Sequence, residues 1–338
     1  MTKLEPVESK AAWRACDLAA EGDWRLRLSS KEIDELIKAT DLALKKQVPI
    51  EKLTASDFAL PTLSKKISSL REDLEGGRGF VVVHGMPVER FSLEEAQVMH
   101  WCFGQHLGYP EPQDKAGKLF HVVTDTGANV ETTDNIRSFQ TNDELTFHTD
   151  GADVFALLCF RPAKSGGGSR LVSSTAIYNE LLQRDQKLAA ILTAPFHFDA
   201  RAQNPWEKQT QTVPIFNLHD GMVSALYKRR YIELAQRFKD VPKLTDKQIA
   251  AMDLLDEVAN DPNMHLALNL EPGDLEIANN ATCFHARFNY SDYDDPRLKR
   301  CMLRLWLSLP NGRPLPKIFE TTREWGPTYA RRLNAKNI

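Results

Sequence analysis

Two hydrophobic rhythms run through this chain, and each marks a different kind of element. In the first third the period is helical. Ser29-Ser30-Lys31-Glu32 forms a capping box ahead of Ile33, Leu36, Ile37 and Leu44, and Pro49 closes that helix. A second apolar set runs from Ile67 to Leu74 and stops at Gly76-Gly77. Ser92-Leu93-Glu94-Glu95 opens a third helix, with Ala96, Met99, Phe103 and Leu107 on one face and Gly108 at its end. His100 and His106 lie off that stripe and are expected at its surface or flank. Trp13 and Trp24 are expected to pin the N-terminal arm onto the body.

Elsewhere the rhythm is that of strands. Gly79-Phe80-Val81-Val82-Val83-His84-Gly85 is β-branched and closed by glycine, a buried strand by composition, with His84 a satisfied strand-end histidine. Lys118 to Thr124, Val154 to Phe160, His265 to Leu270 and Leu275 to Ala278 read as further strands. Between them fall helices at Tyr178 to Thr193, at Tyr227 to Phe238 (its charges a solvated face), and after the Thr245-Asp246-Lys247-Gln248 cap. Residues 195–227 are short strands and loops, with Thr210 to Pro214 a candidate cover segment. The strand Arg300 to Leu309 says most. Period 2 sends Cys301, Leu303, Leu305, Leu307 and Leu309 one way, and Arg300, Met302, Arg304, Trp306 and Ser308 the other. One face is core. The other lines a wall with two guanidiniums and an indole, and a desolvated guanidinium calls for an anion such as a carboxylate.

Composition narrows the class. The 338 residues are 42% apolar, with a formal charge of −3 and a pI near 6.3, which gives no electrostatic pull toward nucleic acid or an anionic membrane. Cys16, Cys102, Cys159, Cys283 and Cys301 are scattered and odd in number, as expected of reduced thiols in a cytoplasmic protein rather than of a disulfide framework or structural zinc. Val154 to Phe160, the longest uncharged apolar run, is too short to span a bilayer. No repeat or composition break divides the chain. One catalytic domain over 1–338 is expected, with a helical extension over 1–75 packed on a core over 79–316.

The candidate chemistry centres on Phe147-His148-Thr149-Asp150-Gly151 and the distant His285. At a strand end His148 and Asp150 leave on one face, and a second imidazole completes the facial set that holds non-haem Fe(II) with positions left open. Singly, each residue is more simply read as a core histidine or a turn cap; the set favours a metal. Ser165-Gly166-Gly167-Gly168-Ser169 lacks the Lys-Ser/Thr of a phosphate loop and reads as a tight turn, with Ser169 near an anion.

These residues resemble the taurine dioxygenase-like (TauD/TfdA) family of Fe(II)- and 2-oxoglutarate-dependent oxygenases. The resemblance covers roughly Gly79 to Pro316 and rests on the Gly79–Pro87 strand, Gln140-Thr141-Asn142 leading to Phe147-His148-Thr149-Asp150, the glycine turn, Asn279-Asn280 before His285, and Arg300 to Leu307. It implies an α+β, β-rich fold with a double-stranded β-helix (jelly-roll, cupin-like) core and flanking helices. It implies His148, Asp150 and His285 as iron ligands, with Arg300 and Ser169 on the distal carboxylate of 2-oxoglutarate; a one-position ambiguity in the turn leaves Arg170 as an alternative to Ser169. It implies Arg304 at the position that binds the substrate's own anionic group, and as a further cosubstrate contact. Trp306, Asn142 and Phe147 complete the expected substrate contacts.

The expected reaction is oxidation, most simply hydroxylation, of an unactivated C–H in a small substrate bearing a carboxylate or sulfonate. It consumes O2 and decarboxylates 2-oxoglutarate to succinate. The carboxylate at Asp150 argues against halogenation. A zinc-type metallohydrolase or a non-catalytic jelly-roll binding module uses the same ligands, but neither accounts for the arginine pair. No nucleic-acid or membrane partner is expected, and a homo-oligomer is compatible with the sequence.

Overall fold

The strand Cys301–Ser308 anchors the larger of two sheets. In this computed structural model, which describes residues 4–18, 22–114, 116–127, 141–201, 208–322 and 325, that strand pairs antiparallel with Val154–Arg161 on one side, and with Phe120–Val123 and Tyr109–Pro110 on the other. Leu275–Asn279, Phe80–His84 and Arg25–Arg27 extend the sheet past Val154–Arg161. The last of these pairings is parallel. The smaller sheet orders His265–Leu268, Ser169–Ser173, Cys283–Arg287 and Leu145–His148, all antiparallel.

Side-chain alternation sorts the molecule into layers. Cys301, Leu303, Leu305 and Leu307 join Ile277, Leu275 and Val83 in a core under the helices Ser30–Leu44, Leu63–Gly76 and Leu93–Leu107. On the outer face of the smaller sheet, Val172, Phe284 and Ala286 pack with Ile177, Leu181, Met252 and Leu255 from the helices Ser174–Arg184 and Asp246–Asn260. Between the sheets lie Phe155, Ala278 and Trp306 of one with Leu171, Leu268 and Cys283 of the other. This two-sheet sandwich is the jelly-roll core expected from the sequence, and its interior is where polar residues on the inner faces meet.

The capping boxes at Ser29, Ser92 and Thr245 form as read, each with its reciprocal pair of bonds. The N-terminal arm is tied down by its tryptophans: Trp13 and Trp24 flank Phe80 at ring-centroid distances of 4.9 and 5.7 Å, and the Trp13 indole donates to the Arg78 carbonyl. Among the described residues no helix is long and apolar enough to cross a membrane.

Four local readings differ. The helix expected over Tyr178–Thr193 is two, Ser174–Arg184 and Gln186–Leu192, because extended Asp185 breaks the first and caps the second through its carboxylate. The basic helix is shorter, Arg229–Ala235. Thr210–Pro214 is a strand fully paired with Pro195–Asp199, not a loose cover. His100 is fully buried, donating from Nε2 to the Ala156 carbonyl, because its helix is packed on more than the one face that the apolar stripe marks. The polar linker read over 125–137 falls largely outside the described residues, as does Gln140.

Candidate metal centre

His148 and His285 are register partners on adjacent antiparallel strands, so their side chains leave the sheet together. The imidazole centroids are 4.3 Å apart, and Phe155 backs His285 at 4.4 Å. Asp150 follows the end of the Leu145–His148 strand and reaches the same place by way of a turn rather than by strand alternation. Ligand atoms of His148, Asp150 and His285 all lie within 4.8 Å of one another, so the three can hold one metal ion.

The turn is fixed from two sides. Asn280 Oδ1 accepts the Asp150 amide and its Nδ2 donates to the Ala152 carbonyl, while the Thr149 amide donates to the Tyr227 carbonyl. This gives the Asn279-Asn280 dipeptide a physical reason: Asn280 holds the backbone that carries the carboxylate. His148 donates from Nδ1 to the Thr146 carbonyl at 2.8 Å, which selects the tautomer with a free lone pair on Nε2.

Electrostatics prepare the set for a cation. Burial would raise the Asp150 carboxyl, but the Arg304 guanidinium, with smaller help from His285, His148 and Lys228, holds it below the usual carboxylate range. Burial pulls His285 down to about 3 and lowers His148, so both rings are neutral near pH 7. Asp150 Oδ2 accepts from the Trp306 indole at 2.8 Å and from Arg304 Nη1 at 3.4 Å. Arg304 Nε is bound by Gln113 Oε1 at 2.8 Å. Among the protein groups that Arg304 meets are the Asp150 carboxylate, the Gln113 amide oxygen and the Trp306 ring, 5.1 Å from its guanidinium carbon.

Arg300 lies deeper on the same inner face. Its guanidinium sits 5.3 Å from the Tyr290 ring, and its Nη1 is buried with no hydrogen-bond partner among the described residues. Gly167, at φ +73°, keeps this space open: a Cβ there would meet Tyr290 at 3.2 Å and Arg300 Nε at 3.3 Å. Ser169 shares the inner face with Leu171 and acts on the titration of Glu276, as Arg300 does. Arg170 points outward, its guanidinium bound by Glu144 and Asn260 and set between the rings of Phe147 and Phe288. That geometry separates the two neighbours: Ser169 is with Arg300, and Arg170 is not.

Two expected substrate contacts fall away from the centre. Phe147 alternates with His148 and packs into the outer core, its ring 5.6 Å from His265, so a substrate role for it is withdrawn. Asn142 is exposed, and its carbonyl accepts the Tyr290 amide, which links it to the Arg300 end. Lys228 was read as part of a solvated face. Instead its charge acts on His148, Asp150 and His285, because the Thr149–Tyr227 backbone bond brings that loop beside the triad. A glutamate between Leu275 and Ile277, in a strand buried on both faces, makes Glu276 a fully buried acid.

A jelly roll whose inner faces converge on two histidines and a carboxylate defines a class of mononuclear metal oxygenase. The chain belongs to the taurine catabolism dioxygenase TauD, TfdA family, whose profile matches residues 43–306. It is 30% identical over 325 residues to FR-33289 synthase of Streptomyces rubellomurinus, covering 95% of this chain and 96% of that one. It is 29% identical over 182 residues to uridine-5'-phosphate dioxygenase of an Amycolatopsis species, covering 49% and 62%. Among solved structures, asparagine oxygenase in complex with Fe(II), 3-hydroxyasparagine and succinate superposes with a TM-score of 0.65 at 17% identity, covering 84% of this chain and 93% of that one. The non-heme iron oxygenase OrfP, in complex with Fe and alpha-ketoglutaric acid, gives 0.63 at 16%, covering 84% and 94%.

Proposed function

We propose that this dioxygenase uses Fe(II), 2-oxoglutarate and O2 to hydroxylate an unactivated C–H of a small anionic substrate, releasing succinate and CO2. His148, Asp150 and His285 would hold the iron. The observation that carries this reading is the closely spaced donor set, a buried ionised carboxylate with two half-buried neutral imidazoles. Arg300 supports the cosubstrate assignment, since a buried guanidinium with an unmatched donor suits a distal carboxylate. The metal and cosubstrate together supply the oxidant that takes hydrogen from carbon.

The protein's own part is orientation and exclusion of water. Trp306 and Arg304 both donate to Asp150 Oδ2, so that the carboxylate keeps one orientation. Arg304 and Lys228 put positive charge beside the triad, which supports a substrate bearing a carboxylate, sulfonate or phosphate. The phosphate named in one relative's substrate fits the same reading. Asn142 remains assigned to the substrate side on the family resemblance alone. A zinc-type hydrolase leaves Arg300 without a task.

The test is succinate formation from 2-oxoglutarate with Fe(II) under air, followed by mass spectrometry of candidate anions for an added oxygen atom. Succinate should form in the wild type and not in His285→Ala. Wild-type turnover in His285→Ala would overturn the triad assignment.

A further inference from the structure

The interior holds a second acid that the proposed reaction does not use. Glu276 lies at the centre of Leu275–Asn279, a strand paired on both edges, with Val82 on one side and Leu157 on the other. Leu275 and Ile277 face the helix-covered core, and Ala278 faces the interior, so alternation turns Glu276 inward with Ala278. It is 0% exposed, and among the described residues neither carboxyl oxygen has a hydrogen-bond partner at bonding distance and angle. Across the interior stand Ser169, from the smaller sheet, and Arg300.

Charged neighbours of Arg300 include Asp292, whose Oδ1 accepts the Arg300 amide at 2.8 Å, and Arg287, whose guanidinium lies 4.8 Å from the same Tyr290 ring. Arg300 faces Glu276, and beside Arg300 lies Tyr290, whose hydroxyl is also buried without a partner among the described residues. Burial pushes the Cys159 and Cys283 thiols up to about 12, so both are neutral. His84, at the end of the neighbouring strand, is engaged with Asp274 at 2.6 Å. A carboxylate left in this space would compete with any incoming anion for Arg300, and a neutral acid would instead offer a donor. Burial raises the Glu276 carboxyl to about 7, against the pull of the Ser169 hydroxyl and Arg300.

We propose that Glu276 enters the cosubstrate complex as the neutral acid and donates a hydrogen bond to the distal carboxylate of 2-oxoglutarate, beside Arg300 and Ser169. This rests on the reading of the Arg300 pocket as the cosubstrate site. One proton passes from solvent to Glu276 when the dianion binds above neutral pH, and no covalent bond is made or broken. Cosubstrate affinity is thereby linked to pH, and it weakens as pH rises through the titration of the free enzyme's Glu276.

Calorimetry of 2-oxoglutarate binding to the Fe(II) enzyme without oxygen, in buffers of different ionisation enthalpy, counts the protons directly. Uptake should approach one proton per site at pH 8 and fall toward zero at pH 6, and the dissociation constant should rise about tenfold per pH unit above neutrality. Glu276→Gln, whose amide still donates, should bind with a constant that is flat over this range and with no uptake beyond background. Binding without proton uptake in the wild type, or a pH slope that survives in Glu276→Gln, would overturn the role of Glu276 and leave the proposed reaction standing. Failure of 2-oxoglutarate to bind at any pH would instead overturn the assignment of the pocket.

Discussion

Replacing Trp306 with phenylalanine isolates one bond. The indole Nε1 donates at 2.8 Å to Oδ2 of a buried, ionised Asp150, and phenylalanine keeps most of the ring's packing while removing that donor. A hydrogen bond to a charged group contributes about 1.5–3 kcal/mol, and each 1.4 kcal/mol is about tenfold in an equilibrium. Arg304 Nη1 remains at 3.4 Å from the same oxygen and can shorten to compensate in part. The expected loss of Fe(II) affinity is therefore about 10- to 100-fold, the range found for groups that orient metal ligands. Competition with a chromophoric chelator under anaerobic conditions measures it, with circular dichroism to show an unchanged fold. A dissociation constant within about twofold of wild type would refute the reasoning, since Asp150 would then keep its orientation without the indole.

Three other outcomes are expected. Arg300→Lys keeps charge but loses the planar fork, so the apparent affinity for 2-oxoglutarate should fall about tenfold or more, and an unchanged Michaelis constant would count against the anchor. Gly167→Ala should lower the melting temperature and weaken 2-oxoglutarate binding together, because a β-carbon at φ +73° costs about 1–3 kcal/mol and crowds Arg300. His100 titrates at about 4 when folded, pulled down by burial, and near 6.5 when unfolded. The unfolded chain therefore binds the extra proton, and stability present above pH 6.5 is lost as pH falls toward 4. At pH 5 the loss from this residue is about 2 kcal/mol, and chemical denaturation of His100→Gln should show a correspondingly flatter profile between pH 7 and 5.

Period and chemistry were legible together where one face of an element is unambiguous. The alternation from Cys301 to Leu309 identified the inner wall with Arg300, Arg304 and Trp306, whereas His148, Asp150 and His285 were legible only as a set, since Asp150 arrives by a turn and not by strand spacing. Phe147 was misjudged because proximity in a motif was allowed to outweigh alternation, which turns it away from its neighbour His148. His100 was misjudged because an apolar stripe marks one buried face and is silent about a second. Lys228 was out of reach of such arguments: it is near the triad because Thr149 and Tyr227 are hydrogen-bonded through backbone and side chain, a meeting of distant segments that leaves no local pattern.

The parallel pairing of Arg25–Arg27 with Phe80–His84 bears on how the molecule avoids sticking to itself. Phe-Val-Val-Val-His, laid bare along one side, would be a template for edge-to-edge association with another copy. The arm that carries Trp13 and Trp24 covers it and substitutes a border of three residues, on which Arg25 and Arg27 are exposed. A short, positively charged border repels a second strand of its own kind. A chain begun at Gly79 would retain all the candidate iron ligands but lose both this border and the helices Ser30–Leu44 and Leu63–Gly76 that cover the core, and aggregation is the expected outcome.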